Sequence, residues 1–385
     1  MRTPSFRVAR ATVVSRNSSD FDGALPRTVA GARMQPMESV CRKLAVMAIT
    51  SFVMVLLAEL IARAAEPGKF RWYDLSPYEK VTNLPHVHRR RARVQWDGSY
   101  YEINARGWRG PEFEPSYAPE ELRIVAIGDS CTFGKAVEEA DTWPRQLERE
   151  LQSRVGAARR VRVANLGVNG YSSRDYLEVL KTQAIEVKPH VVVVGYCLND
   201  FPNALKQVDA AVFQGKESLR AQLSWDVREQ LGRLALFRWL RASYYEFRRS
   251  DDLAQVEQLA SRVAGDAIQA TAVMDAERQR AEEMRAVCAG IGAELVTMLF
   301  PYESQVYLDA AVAGPGPKLR ATMEAIEVPF LDLASEFRES VQASGGSQRL
   351  FVRGDRYHPN AEGYALVARS LSAQIVSLLA TDEQR

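Results

Sequence analysis

A doubly wound α/β domain is predicted for most of this chain, on three observations. From about residue 119 onward, β-prone runs alternate with amphipathic stretches. One run, Val191-Val192-Val193-Val194, is apolar on both faces. The first three runs each lead into turns rich in Gly, Asn or Asp. A strand apolar on both faces suits a parallel sheet covered by helices on each side. Strand and helix taking turns supply the crossovers that such a sheet needs. The expected architecture is three α/β/α layers around about five parallel strands in a flavodoxin-like arrangement, with a helical insertion.

Before that domain lies an apolar segment. Leu44 to Ala58 carries no charge, and only Glu59 interrupts the apolar character up to Ala62. With Arg42-Lys43 in front, residues 44–64 read as a transmembrane signal anchor. A cleaved signal peptide, for which Ala62-Arg63-Ala64 offers a small-x-small site, and a buried core helix are the other readings. Basic residues before the segment (Arg27, Arg33, Arg42, Lys43) slightly outnumber those after it (Arg63, Lys69, Arg71). That asymmetry puts the amino terminus inside and the bulk of the chain outside the cytoplasmic membrane, in the periplasm. Cleavage would instead give a secreted protein. Residues 1–43, rich in Arg, Ser and Ala without apolar periodicity, read as disordered.

Residues 65–118 form a juxtamembrane linker rich in Pro, Arg and aromatics, with a small hairpin across Trp96 to Asn104 turning at Asp97-Gly98. The basic run Arg89-Arg90-Arg91-Ala92-Arg93 reads as a solvated surface segment. Residues 119–381 hold the main domain. Strands are expected at Arg123–Ile127, Val161–Asn165, Val191–Val194, Ala293–Phe300 and Val328–Leu333. Helices are expected at Thr142–Val155, Ser173–Val187 and Ala361–Leu379. Residues 201–270 are too many for one crossover and read as the helical insertion. Within it Leu236, Phe237, Leu240, Tyr244 and Phe247 recur at helical spacing, as in a packed helix, a lid over the site or a membrane-facing helix.

Composition excludes several classes. With 46% apolar and 25% charged residues the chain is an ordinary globular one, and a net charge of +2 gives no basis for a nucleic-acid partner. The four cysteines, Cys41, Cys131, Cys197 and Cys288, show no CxxC spacing, so neither a structural metal nor a disulfide framework is expected. No metal or organic cofactor is implied.

Ligands of open α/β sheets bind outside the carboxyl ends of the strands, so the residues after each strand carry the chemistry. After the first strand comes Gly128-Asp129-Ser130-Cys131-Thr132-Phe133-Gly134, and after the second Asn165-Leu166-Gly167-Val168-Asn169-Gly170. After the third comes Gly195-Tyr196-Cys197-Leu198-Asn199-Asp200, and before the last helix Asp355-Arg356-Tyr357-His358-Pro359-Asn360. A serine hydroxyl attacks only when a base takes its proton, and histidine titrates in the right range. Ser130 and His358 fit those roles, and Asp355, three residues before His358, is placed to orient the ring. A developing oxyanion would find donors in the backbone of Ser130 and Gly170 and in the amide of Asn199. Asp129 and Asp200 are assigned to loop hydrogen bonding, and Cys131 to small buried packing. Of the other histidines, His86 and His88 sit in the Arg-rich linker without nearby acids, and His190 packs or caps before a buried strand.

In their order and strand contexts these four segments resemble the signature blocks of the SGNH (GDSL-type) hydrolase superfamily, in a membrane-anchored bacterial form. The resemblance covers roughly Leu122 to Leu379. It places the superfamily's Ser, Gly, Asn and His on Ser130, Gly170, Asn199 and His358, and the Asp of its Asp-x-x-His on Asp355. Two departures stand out: Cys131 replaces the usual leucine, and two extra residues separate Gly195 from Asn199 in the third block. The activity implied is ester hydrolysis through an acyl-enzyme, on an extracytoplasmic carbohydrate or lipid ester. A polysaccharide O-acetyltransferase of the same fold and a non-catalytic binding or assembly module are the alternatives.

Overall fold

The computed structural model describes residues 37–65, 77–96, 99–113, 121–156, 159–201, 231, 234–237, 239–240, 267–307, 315–353, 355 and 357–382. The disordered reading of residues 1–43 lies outside the described residues only up to 36, since residues 37–43 are helical; most of the insertion, Tyr244 and Phe247 among it, also lies outside them.

The chain divides into two compact units, residues 1–56 and 57–385. The first is described only through helix α1, Met37–Ala65, which begins in it. Residues 39–64 of α1 are long and apolar enough to cross a membrane. At 1.5 Å per residue, 26 residues reach about 39 Å, against about 30 Å of hydrocarbon. Every side chain from Cys41 to Leu57 is exposed.

In the second unit, two short ribbons precede the main sheet. Strands β1 (Tyr78–Glu79) and β2 (Val87–His88) pair antiparallel. So do β3 (Arg93–Trp96) and β4 (Ser99–Glu102), with Trp96 opposite Ser99. The hairpin expected from Trp96 onward thus starts three residues earlier, at Arg93.

The main sheet has five parallel strands in the order β6-β5-β7-β8-β9: β5 Glu121–Gly128, β6 Arg160–Asn165, β7 Val191–Tyr196, β8 Glu294–Leu299 and β9 Phe330–Asp332. That is the flavodoxin-like order, as the sequence predicts. The side-chain period of a strand explains the layers. Val192 and Val194 of β7 join Val125, Ile127 and Leu295 in one core, which also holds Tyr176 and Met284. Val191 and Val193 join Leu122, Ile124, Val296 and Met298 in the other, with Leu147 and Leu371. Four consecutive valines, each wholly buried, thereby serve both faces, at about 1.5–3 kcal/mol of stabilisation per side chain.

The helices are α2 (Ser130–Phe133), α3 (Trp143–Val155), α4 (Ser173–Thr182), α5 (Ala267–Gly290), α6 (Glu303–Tyr307), α7 (Gly316–Glu324), α8 (Leu333–Ala343) and α9 (Ala361–Asp382). The helix expected at Ser173–Val187 ends at Thr182 and continues as a 3-10 turn, Ala184–Val187. Helix α9 is also apolar enough to span a membrane, but Tyr364, Val367, Leu371 and Ile375 are buried in the core. In the insertion, Glu59 of α1 accepts the backbone N–H groups of Ala235 and Leu236 at 2.9 and 2.8 Å, while Trp239 and Leu240 are exposed.

Candidate active site

Strand order reverses at β5, whose neighbours are β6 on one side and β7 on the other. Register pairs Gly128 with Gly195, so the chain leaves both strands side by side. Such a reversal opens a crevice at the carboxyl ends of the strands.

At Asp129 the chain turns from β5 into α2. The Asp129 carboxylate caps the helix by accepting the Cys131 N–H at 2.8 Å. Ser130 is therefore the first helical residue rather than the cap, and its hydroxyl is half-buried. Its Oγ lies 2.8 Å from Nε2 of His358. His358 sits in the bend before α9, where Nδ1 lies 2.8 Å from Oδ2 of Asp355. The other oxygen, Oδ1, accepts the backbone N–H groups of Tyr357 at 2.9 Å and His358 at 3.2 Å. Both Asp355 and His358 are buried. Burial alone would raise the Asp355 carboxyl, but the hydrogen bond and charge of His358 and the Tyr357 N–H outweigh it and hold the group well below the usual range. A ring nitrogen facing a carboxylate carries the proton, which leaves Nε2 as the acceptor toward Ser130.

The second block lies against the turn that carries Ser130. After β6 the chain stays bonded to β5, Leu166 N–H to Ala126 O at 2.8 Å and Val168 N–H to Gly128 O at 3.0 Å. A Cβ on Gly167 would stand 2.3 Å from the Phe133 nitrogen, so only glycine lets this loop lie against α2. Gly170 follows at an exposed turn, and among the described residues no group accepts its N–H.

The two extra residues in the third block do not keep Asn199 away. Its Nδ2 donates to Oδ2 of Asp129 at 3.1 Å, next to Ser130. An amide oxygen cannot face a carboxylate, so Asp129 fixes the amide with its NH2 toward the Asp129–Ser130 turn. Asp200 is wholly buried, and accepts from Cys197 N–H at 2.8 Å and from the Tyr176 hydroxyl at 3.0 Å. Burial and the nearby Asp129 charge push its carboxyl well up, against those two donors.

Asp129, Cys131 and Cys197 bring three potential ligand atoms within 4.8 Å of one another. They are engaged with one another and with the turn. Burial pushes the Cys131 thiol up to about 12 and the Cys197 thiol well above its ordinary value, so both are held in the protonated form. Cys197 Sγ donates to Asp129 Oδ1 at 3.1 Å, and Asp129 is further engaged by Cys131 and Asn199.

Residues ahead of the sheet also reach this turn. The buried Arg109 guanidinium donates to the carbonyls of Phe133 (2.7 Å), Gly134 (2.5 Å) and Val137 (2.6 Å). Phe133 and Gly134 close α2, and Val137 follows in the next turn. The guanidinium carbon lies over the neighbouring rings of Tyr101 at 4.6 Å and Phe133 at 4.8 Å. The Tyr101 hydroxyl accepts the Ala136 N–H at 2.7 Å. The sequence reading assigned none of these residues to the site. His190 takes the capping place expected of it, its Nδ1 accepting the Arg123 N–H at 3.1 Å.

No curated protein matches this sequence. Among solved structures, a catalytic mutant of the acetylxylan esterase Axe2 from Geobacillus stearothermophilus is 14% identical with a TM-score of 0.41, covering 66% of this chain and 94% of that one. LAE5, an alpha/beta hydrolase enzyme from the metagenome of Lake Arreo, is 16% identical with a TM-score of 0.39, covering 66% and 94%. A member of the lipolytic protein G-D-S-L family from Veillonella parvula is 15% identical with a TM-score of 0.36, covering 66% and 97%. The family model described as GDSL-like Lipase/Acylhydrolase matches residues 126–366, more than half of the 385 residues. This chain therefore belongs to the GDSL-like lipase/acylhydrolase family and is an ester hydrolase.

Proposed function

We propose that the protein cleaves its ester through a covalent acyl-enzyme on Ser130, with His358 as base and Asp355 as its orienting partner. The observation that carries this reading is the unbroken relay of two 2.8 Å contacts, Ser130 Oγ to His358 Nε2 and His358 Nδ1 to Asp355 Oδ2. As Oγ attacks the carbonyl carbon, its proton passes to Nε2, and the anionic Asp355 stabilises the imidazolium that results. The carbonyl oxygen becomes an oxyanion, met by the backbone N–H groups of Ser130 and Gly170 and by the Asn199 amide. Collapse expels the alcohol, which takes the proton from His358. Water then adds to the acyl-enzyme with His358 again as base, and Ser130 is released.

Aryl esters of graded acyl length, assayed with and without oligosaccharide acceptors, test this reading. Release of free acid at a rate independent of acceptor is the expected result. Acyl transfer to the sugar in place of free acid would convert the assignment to a transferase, and inertness toward every ester would refute it.

The site is proposed to work outside the cytoplasmic membrane, in the periplasm, on a carbohydrate or lipid ester, with α1 as an uncleaved anchor. Support comes from the length and exposure of residues 39–64 and from Arg42-Lys43 ahead of them. A carboxyl-terminal fusion to a reporter active only after export should be active and should sediment with membranes. Activity of a cytoplasm-only reporter in its place would reverse the orientation.

A further inference from the structure

Asn169 and Gly170 are the central residues of a β-turn closed by Tyr171 N–H donating to Val168 O at 3.2 Å. Gly170 has φ +81°, the left-handed conformation that a type II turn requires at its third residue. Types I and II differ by a flip of the central peptide. Here that peptide joins the Asn169 carbonyl to the Gly170 N–H, and in a trans peptide the two point in opposite directions. Whatever holds the carbonyl therefore aims the N–H.

His86 holds it. Its Nε2 lies 3.0 Å from the Asn169 oxygen. A carbonyl can only accept, so Nε2 carries the proton. Burial lowers the pKa of the ring, which favours its neutral form. His86 is itself braced: the Tyr171 hydroxyl donates to its carbonyl, and the Tyr78 ring meets it edge-on at 4.5 Å. The Tyr78 hydroxyl accepts from Nδ2 of Asn169 at 2.8 Å, so the turn is gripped by backbone and side chain together. Tyr78 and His86 lie ahead of residues 126–366, outside the stretch that the family model matches.

We infer that His86 is a positioning residue for the oxyanion donor: it locks the central peptide of the 168–171 turn so that the Gly170 N–H faces the reacting carbonyl. A flip to type I would turn that N–H away and present the Asn169 oxygen in its place, replacing a donor with a negative dipole. The bond from His86 also polarises the peptide, which strengthens its N–H as a donor. This inference rests on the acyl-enzyme mechanism proposed above.

The test is hydrolysis of p-nitrophenyl acetate by the full chain in detergent, with competent sites counted by exhaustive labelling with a serine-directed fluorophosphonate. His86→Leu should lower kcat per site by about ten- to a hundredfold, with KM changed less than about threefold, because the lost donor acts in the transition state. His86→Gln, whose amide nitrogen can stand where Nε2 stands, should recover kcat to within about threefold of the parent. Wild-type turnover in His86→Leu, or equal impairment in His86→Gln, would overturn the inference. Ser130→Ala run alongside separates the two ideas. Full activity there sinks the mechanism and the inference with it, whereas loss there beside wild-type turnover in His86→Leu sinks the positioning role alone.

Discussion

Ser130→Ala should leave a folded protein whose turnover on aryl esters is reduced by about four to six orders of magnitude. The loss is large because, among the described residues, the side chain that His358 Nε2 faces is Ser130, with Oγ at 2.8 Å. The neighbouring Cys131 does not substitute, since burial keeps its thiol protonated, near 12. Stability should change by less than about 1 kcal/mol, because the helix cap is the Asp129 carboxylate and survives the change. Unfolding in urea checks the fold, and intact-mass analysis after treatment with a fluorophosphonate checks the chemistry. The adduct is expected on Ser130 in the parent and absent from the variant. Turnover comparable to the parent, or an adduct on Cys131, would overturn the serine mechanism.

The sheet was legible because its information is local. Four valines with alternate side chains in opposite cores can only be a strand covered on both faces. The segments bearing Ser130, Gly170, Asn199, Asp355 and His358 were legible for the same reason, since each is a short run at the end of an element. The two extra residues before Asn199 leave it beside Asp129, because Gly195 and Tyr196 remain in β7 and only Cys197 and Leu198 are spent on the turn. What escaped was long-range contact to backbone. Arg109 grips a carbonyl 24 residues away and His86 one 83 residues away. A carbonyl belongs to every residue and leaves no mark in the sequence, so Arg109 looked like any arginine of a basic linker. The end of α4 at Thr182 escaped too: Gln183 leaves the helical region without a Gly or Pro to announce it, and the first such signal, Pro189, comes only after Lys188 at φ +51°.

Asp355→Asn should slow turnover by about ten-thousandfold while leaving the loop in place, and the hydrogen bonds say why. In the parent, Oδ1 accepts two backbone N–H groups and Oδ2 faces Nδ1 of His358. An asparagine must keep its oxygen toward the two backbone donors, which turns its NH2 toward Nδ1. Nδ1 must then accept, so the imidazole proton moves to Nε2 and points at Ser130. A base that already carries its proton on that nitrogen cannot take another from the hydroxyl. The same substitution has a signature in stability. The Asp355 carboxyl is held below its ordinary value in the folded chain, so it stabilises the fold at pH values above the unfolded carboxylate range, and this contribution is lost as the pH falls through the folded value. The asparagine variant lacks it at every pH. The gap in unfolding free energy between parent and variant should therefore be widest near neutral pH and narrow progressively in acid. Urea titrations at neutral and acidic pH measure that gap. A gap that grows in acid would mean that Asp355 is not the anionic partner of His358. Turnover within tenfold of the parent would mean that the tautomer is set by something else.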